Sequence, residues 1–119
     1  LGGLSTLLLP IPAAQSAGAD LSGYAGIAFS ARGLGKLRVA VPTTDLDAAG
    51  NYDAYGKTLV LTSNWRRYMI RFDSPDFAQD GFGAKAPFAS RKVSRLAFGS
   101  YGAGPLDFWV DDVGLLKAN

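Results

Sequence analysis

The chain has no cysteine, no histidine and no glutamate. Without cysteine there is no disulfide, no thiolate nucleophile and no soft metal site, and the redox compartment leaves no trace. Without histidine, no side chain ordinarily titrates near neutrality to act as a general base. All ten acidic residues are aspartates, so any carboxylate pair must be built from them. Charge is also scarce: twelve basic residues against ten acidic leave +2. The basic residues are dispersed, and the doublets Arg66-Arg67 and Arg91-Lys92 read as strand ends or solvated loops. That pattern argues against a nucleic-acid partner. No stretch reaches the roughly 18–20 apolar residues of a membrane span.

What is present points to strands. Fifteen glycines and six prolines punctuate short apolar runs. Ile27, Phe29 and Ala31 alternate with Ala28 and Ser30, Leu37, Val39 and Val41 with Arg38 and Ala40, and Leu59 and Leu61 with Thr58, Val60 and Thr62. Tyr68, Ile70 and Phe72 alternate with Arg67, Met69 and Arg71; Leu96 and Phe98 follow, then Phe108 and Val110. Period-two patterning broken by Gly, Pro, Asn and Asp predicts half-buried antiparallel strands. At the N-terminus, "LSTLLLPIPAAQSAGAD" mimics the end of a secretory signal but has no basic segment before it. Leu4–Leu9 is therefore expected to be a strand ended by Pro10 and Pro12, with residues 13–19 a loop. Seven strands in 119 residues suit one all-β domain, an antiparallel β-sandwich or jelly roll.

Two connections, 42–58 and 73–93, exceed what hairpins need and carry Tyr52, Tyr55, Phe77, Phe82 and Phe88. Phe77 and Phe88 are expected to fold back as a satellite core. For Tyr52 and Tyr55, whose hydroxyls tolerate water, burial and ligand contact are both open.

The order "DLSGYAGIAFSARG", "LRVAVPTTD", "YDAYGKTLVLTSNWRRYMIRF", "QDGFG" and "LDFWVDDVGL" over residues 20–115 resembles a bacterial secreted carbohydrate-binding module. The type is the galactose-binding-like β-sandwich attached to many glycoside hydrolases, near family 11. Relatives often carry Trp in place of Phe82, cysteines near 51–53, and strands upstream of residue 1. The domain 1–119 is thus expected to lack the usual N-terminal strands. The resemblance implies an extracellular or periplasmic bacterial protein that binds a polysaccharide such as a β-glucan without catalysis, with an attached or associated hydrolase as partner. Sugar rings stack their C–H faces on aromatics, and their hydroxyls pair with Arg and Asp. On that basis the expected ligand contacts are Arg38, Tyr52, Tyr55, Arg67, Arg71, Phe82, Asp107 and Trp109. The resemblance also implies a structural calcium ion at Asp111 or Asp112, helped by carbonyls of an N-terminal loop.

Two other classes compete. A polysaccharide-active enzyme would use an aspartate pair such as Asp45/Asp47, Asp76/Asp80 or Asp111/Asp112, or a Tyr/Arg lyase arrangement. A self-assembling structural protein would complete an abbreviated sheet by self-association, with "LGGLSTLLLPIP" as a donated strand.

Overall fold

Alternation in the sequence becomes two antiparallel sheets. A computed structural model of the chain describes residues 6–10, 20–100 and 106–117. In chain order the elements are β1 (Thr6–Pro10), β2 (Tyr24–Leu34), β3 (Lys36–Ala40), α1 (Thr44–Ala48), β4 (Gly56–Val60), β5 (Arg66–Arg71), β6 (Arg95–Ser100) and β7 (Asp107–Lys117). One sheet has the order β1-β6-β3-β4 and the other β5-β2-β7. Among the described residues no helix is long and apolar enough to cross a membrane.

The two sheets meet through the residues that the period-two pattern pointed inward. Leu37, Val39, Leu59, Leu96 and Phe98 come from the four-stranded sheet; Ile27, Phe29, Ala31 and Ile70 come from the three-stranded one. Phe29 and Phe98 meet edge to face across the sandwich with ring centroids 5.3 Å apart. Both are wholly buried, and truncating a buried Phe costs about 3–5 kcal/mol. At one side of this core Tyr55, Phe72 and Phe88 pack against it around Phe77, with neighbouring centroids 4.9–5.6 Å apart. Phe77 and Phe88 fold back as expected, but onto the main core and not as a separate satellite, and Tyr55 joins them.

The structure adjusts several expected boundaries. Pro10 is the last paired residue of β1, opposite Arg95, not the residue beyond its end. At the margin of an edge strand its missing N–H leaves nothing unsatisfied. Residues 1–5 and 11–19, including most of the suggested donated strand and the loop after it, lie outside the described residues. Connection 42–58 contains the short helix α1. Thr43 caps it, its hydroxyl accepting from the Leu46 amide at 3.5 Å, and Asp45 and Asp47 fall in its first turn, where acidic groups suit the helix dipole. Strand β2 continues past Ala31 to Leu34, so Arg32 and Leu34 extend the outward face begun by Ser30.

Strand β7 reaches Lys117 only by way of a bulge. Between the pairs Ser30↔Asp111 and Ala28↔Gly114 it holds one more residue than β2. Asp112 absorbs the mismatch with φ +53, a left-handed conformation that Asp tolerates better than most residues. The Asp111 carboxylate accepts from the Asp112 amide at 2.8 Å, and Arg67 reaches across β2 to donate to the Asp112 carbonyl at 2.9 Å.

Candidate functional site

The eight expected contact residues separate into two groups on opposite sheets. Arg38 lies on β3, and Tyr52, Tyr55 and Phe82 lie on the loops at one end of the four-stranded sheet. Arg67, Arg71, Asp107 and Trp109 project from the outer face of the three-stranded sheet. Among the arginines with outward register, Arg67 and Arg71 share the sheet of the last strand, whereas Arg38 and Arg95 belong to the other sheet.

The loop group is organised by one buried carboxylate. Asp53 is 1% exposed and accepts hydrogen bonds from the amides of Asp80 at 2.8 Å, Gly81 at 2.8 Å and Gly83 at 3.0 Å. Its own amide donates to Asn51 Oδ1, and Gln79 donates to its carbonyl. Gly81 has φ +107, which favours glycine. At Gly83 a Cβ would strike Asn51 and Asp53. The glycines flanking Phe82 therefore let the second loop wrap this carboxylate. Burial pushes the Asp53 carboxyl up, but the Gly83, Gly81 and Asp80 amides and nearby Arg38 outweigh it and hold its pKa below the ordinary value. Arg38 ties the same loops to the sheet. It donates to the Ala54 and Ala78 carbonyls at 3.1 and 2.9 Å, and its Nε lies 3.4 Å from Asp80.

Two aromatic residues adjoin this network without entering it. Tyr52 precedes Asp53, and Phe82 stands between two of its amide donors; they are 76% and 72% exposed. Tyr55, by contrast, packs on Phe77 and Phe88 and donates its hydroxyl to the Ala86 carbonyl at 2.7 Å. Next to these loops the outward face of the sheet sets small residues around Arg38. Arg38 lies opposite Thr58 and Gly99, and Ala40 opposite Gly56 and Ala97.

Two of the second group, Asp107 and Trp109, line a pocket. Register places Arg32 opposite Trp109 and Leu34 opposite Asp107. The Arg32 guanidinium lies over the Trp109 ring at 4.8 Å and the Trp65 ring at 5.3 Å from their centroids. Arg32, Gly33, Leu34, Ser63, Asp107 and Trp109 line an open pocket of about 290 Å³. The remaining arginines are engaged elsewhere. Arg67 holds the bulge, and Arg71 makes two hydrogen bonds to Asp73 at 3.1 and 3.2 Å. Sequence reasoning missed Arg32 and Trp65. Continuing the alternation of β2 beyond Ala31 would have found Arg32. No local signal marks Trp65.

Four of the acids considered for catalysis are ion-paired with basic side chains. Asp45 pairs with Lys92 and Asp47 with Arg95, while Asp76 pairs with Lys57 and Asp80 with Arg38. Asp111 and Asp112 do not form a calcium cage on their own. Among the described residues no third carboxylate joins them, whereas calcium takes about six to eight oxygens. The carbonyls the resemblance would supply come from the N-terminal segment.

Three solved structures are similar to the whole sandwich. A family 11 carbohydrate-binding module from Clostridium thermocellum, in complex with a β-1,3-1,4-mixed-linked tetrasaccharide, matches with TM-score 0.64 at 17% identity, over 98% of this chain and 72% of that one. The fold is that of the family 11 modules. A second match is the family 11 module of a cellulosomal cellulase of Clostridium thermocellum, at TM-score 0.63 and 16% identity, covering 98% of this chain and 71% of that one. The solution structure of CtCBM11 matches at TM-score 0.62 and 14% identity, over 98% and 85%. No family model matches the chain, and no curated protein matches its sequence.

Proposed function

We propose that this chain is a non-catalytic carbohydrate-binding module whose glycan runs past Tyr52 and Phe82 at the loop end of the four-stranded sheet. The observation that carries this reading is the pairing of exposure with rigidity. Both rings stand in water, yet the backbones on either side are fixed by the Asp53 network. An aromatic surface held still before binding loses little entropy when a ligand arrives. The C–H faces of sugar rings suit such surfaces, and the small residues Ala40, Gly56, Thr58, Ala97 and Gly99 leave room for a chain to lie flat. Arg38 serves mainly as a tie, since two carbonyls and Asp80 already occupy it, and Tyr55 supports the loop from below.

The shared fold, and the mixed-linkage tetrasaccharide bound by one neighbour, make a β-glucan the first ligand to try. An extracellular location beside a glycoside hydrolase follows from the same reading. So does a structural calcium ion, provided that donors from the N-terminal segment complete the site at Asp111 or Asp112. Affinity electrophoresis against mixed-linkage β-glucan, xylan, mannan and galactan tests the proposal. Retardation by one polymer, lost in Tyr52→Ala and Phe82→Ala with folding intact, is expected. A folded protein that no polymer retards sinks it.

A further inference from the structure

The pocket on the three-stranded sheet has features that the loop face does not need. The Arg32 guanidinium lies over both the Trp65 and the Trp109 rings, and its Nε is shielded from solvent with no hydrogen-bond partner among the described residues. The Nε is closed to a ligand as well as to water, so what Arg32 offers the pocket it lines is the rest of its guanidinium. The pocket opens beside this group. Gly33 lies within it at φ +147, and a Cβ there would run into the Asp107 carbonyl. Glycine at this position lets β7 approach closely enough to set Asp107 and Trp109 along the rim.

The lining selects a ligand. Trp109 and Leu34 are 49% and 61% exposed and offer apolar surface to a flat C–H face. A simple anion would satisfy Arg32 but meet the Asp107 carboxylate, and a cation would meet the Arg32 charge. Hydroxyl groups suit both, because each accepts and donates. At about 290 Å³ the space falls at the lower end of ligand pockets, roughly 300–1,000 Å³, enough for one ring and too little for a chain laid lengthwise. We infer that this pocket is a second binding site, separate from the loop face, which takes a single neutral sugar ring such as a chain end. The inference rests on the module reading for the class of ligand and adds a site on the opposite sheet. Its chemistry is stacking on Trp109, with hydroxyls accepting from Arg32 and donating to Asp107.

The chain carries only two tryptophans; Trp109 lines this pocket and Trp65 lies against Arg32, so tryptophan emission reports here and not at Tyr52 and Phe82. The full chain would be titrated with methyl β-D-glucopyranoside and methyl β-D-xylopyranoside, with glucuronate and glycerol as contrasts. A saturable emission change with one of the neutral glycosides is expected, with glycerol silent and glucuronate binding at least about tenfold more weakly. Trp109→Ala, which leaves Trp65 as reporter, should weaken binding about tenfold. Arg32→Lys, which keeps the charge but not the planar fork, should weaken it similarly, while Tyr52→Ala leaves it unchanged. Three results would overturn the inference: no response to either glycoside up to about 0.1 M, an equal response to glucuronate, or loss of the response in Tyr52→Ala. Polymer retardation that persists while emission stays silent rejects this pocket alone. Emission that responds while retardation fails rejects the loop face alone.

Discussion

The two ends of the molecule use the same residue types in opposite ways. At the loop end, Arg38 and Asp53 are consumed by internal hydrogen bonds, and the aromatic rings left for solvent are Tyr52 and Phe82. On the three-stranded sheet, Trp65 and Trp109 are spent on flanking Arg32, and the polar groups Arg32 and Asp107 are left at a pocket. One surface is rigid because its polar atoms are satisfied by backbone. The other keeps a polar atom unsatisfied because its rings supply the packing. Exposed aromatics on a saturated scaffold suit a ligand recognised mainly by shape and stacking. A guanidinium and a carboxylate lining one pocket suit a ligand recognised by its hydroxyls.

Several substitutions would break or sharpen this contrast. The largest effect is expected for Asp53→Ala, which strips three amides of their acceptor in a buried site. Stability should fall by about 3 kcal/mol, measured by urea unfolding, and polysaccharide retardation should vanish as the loops loosen. The native protein should show the matching pH dependence. Because the folded pKa of Asp53 is held below its unfolded value near 3.8, its contribution is complete above that value and is lost as pH falls through the lower, folded one. Unfolding midpoints that stay flat from pH 6 down through about pH 3 would contradict this.

Next come Tyr52→Ala and Phe82→Ala. Each should weaken polysaccharide binding about tenfold while leaving stability within about 0.5 kcal/mol, since neither ring is packed. Tyr55→Phe offers the contrast: it loses the hydroxyl bond to Ala86 and should lower stability by about 1 kcal/mol with little change in binding. A large binding defect in Tyr55→Phe with stability unchanged would move the site deeper into the loops. Smaller still is Asp73→Ala on the open face of the three-stranded sheet. Its partner Arg71 is exposed, and such pairs contribute little, so the melting temperature should not move measurably in physiological salt. Calcium is the other open term. If only Asp111 and Asp112 bind it, saturation should need millimolar concentrations and chelator should barely shift melting. A shift at micromolar calcium would show that donors outside the described residues complete the site.

Much of the sandwich was legible because its strands obey a strict period of two. Leu37-Val39, Leu59, Ile70 and Leu96-Phe98 all point inward as their alternation says. Pairing was not legible, because it depends on contacts between residues far apart in sequence. Nothing local indicates that β7 lies against β2 and not against β6, so alternation alone does not say which arginines share a face with Trp109. The same limit hid the pocket. Arg32, Trp65 and Trp109 meet only through the β2–β7 register and the turn before β5, and Gly33 just after Arg32 reads as a strand ending. Tyr52 and Tyr55, three residues apart in one loop, have opposite fates decided by Phe77 and Phe88. Asp53 carried no sign of its importance beyond being an aspartate in a turn.

The bulge at Asp112 bears on solubility. Strand β7 is eleven residues long and lies at the margin of its sheet, with Val113 and Leu115 partly in water. A straight edge of that kind is a template for intermolecular pairing and fibre growth. The extra residue bends the strand midway, the left-handed Asp112 interrupts its row of pairing groups, and two adjacent negative charges repel a like strand. Deleting Asp112 would straighten the edge, and the expected result is a protein that aggregates on standing, not one that simply binds more weakly.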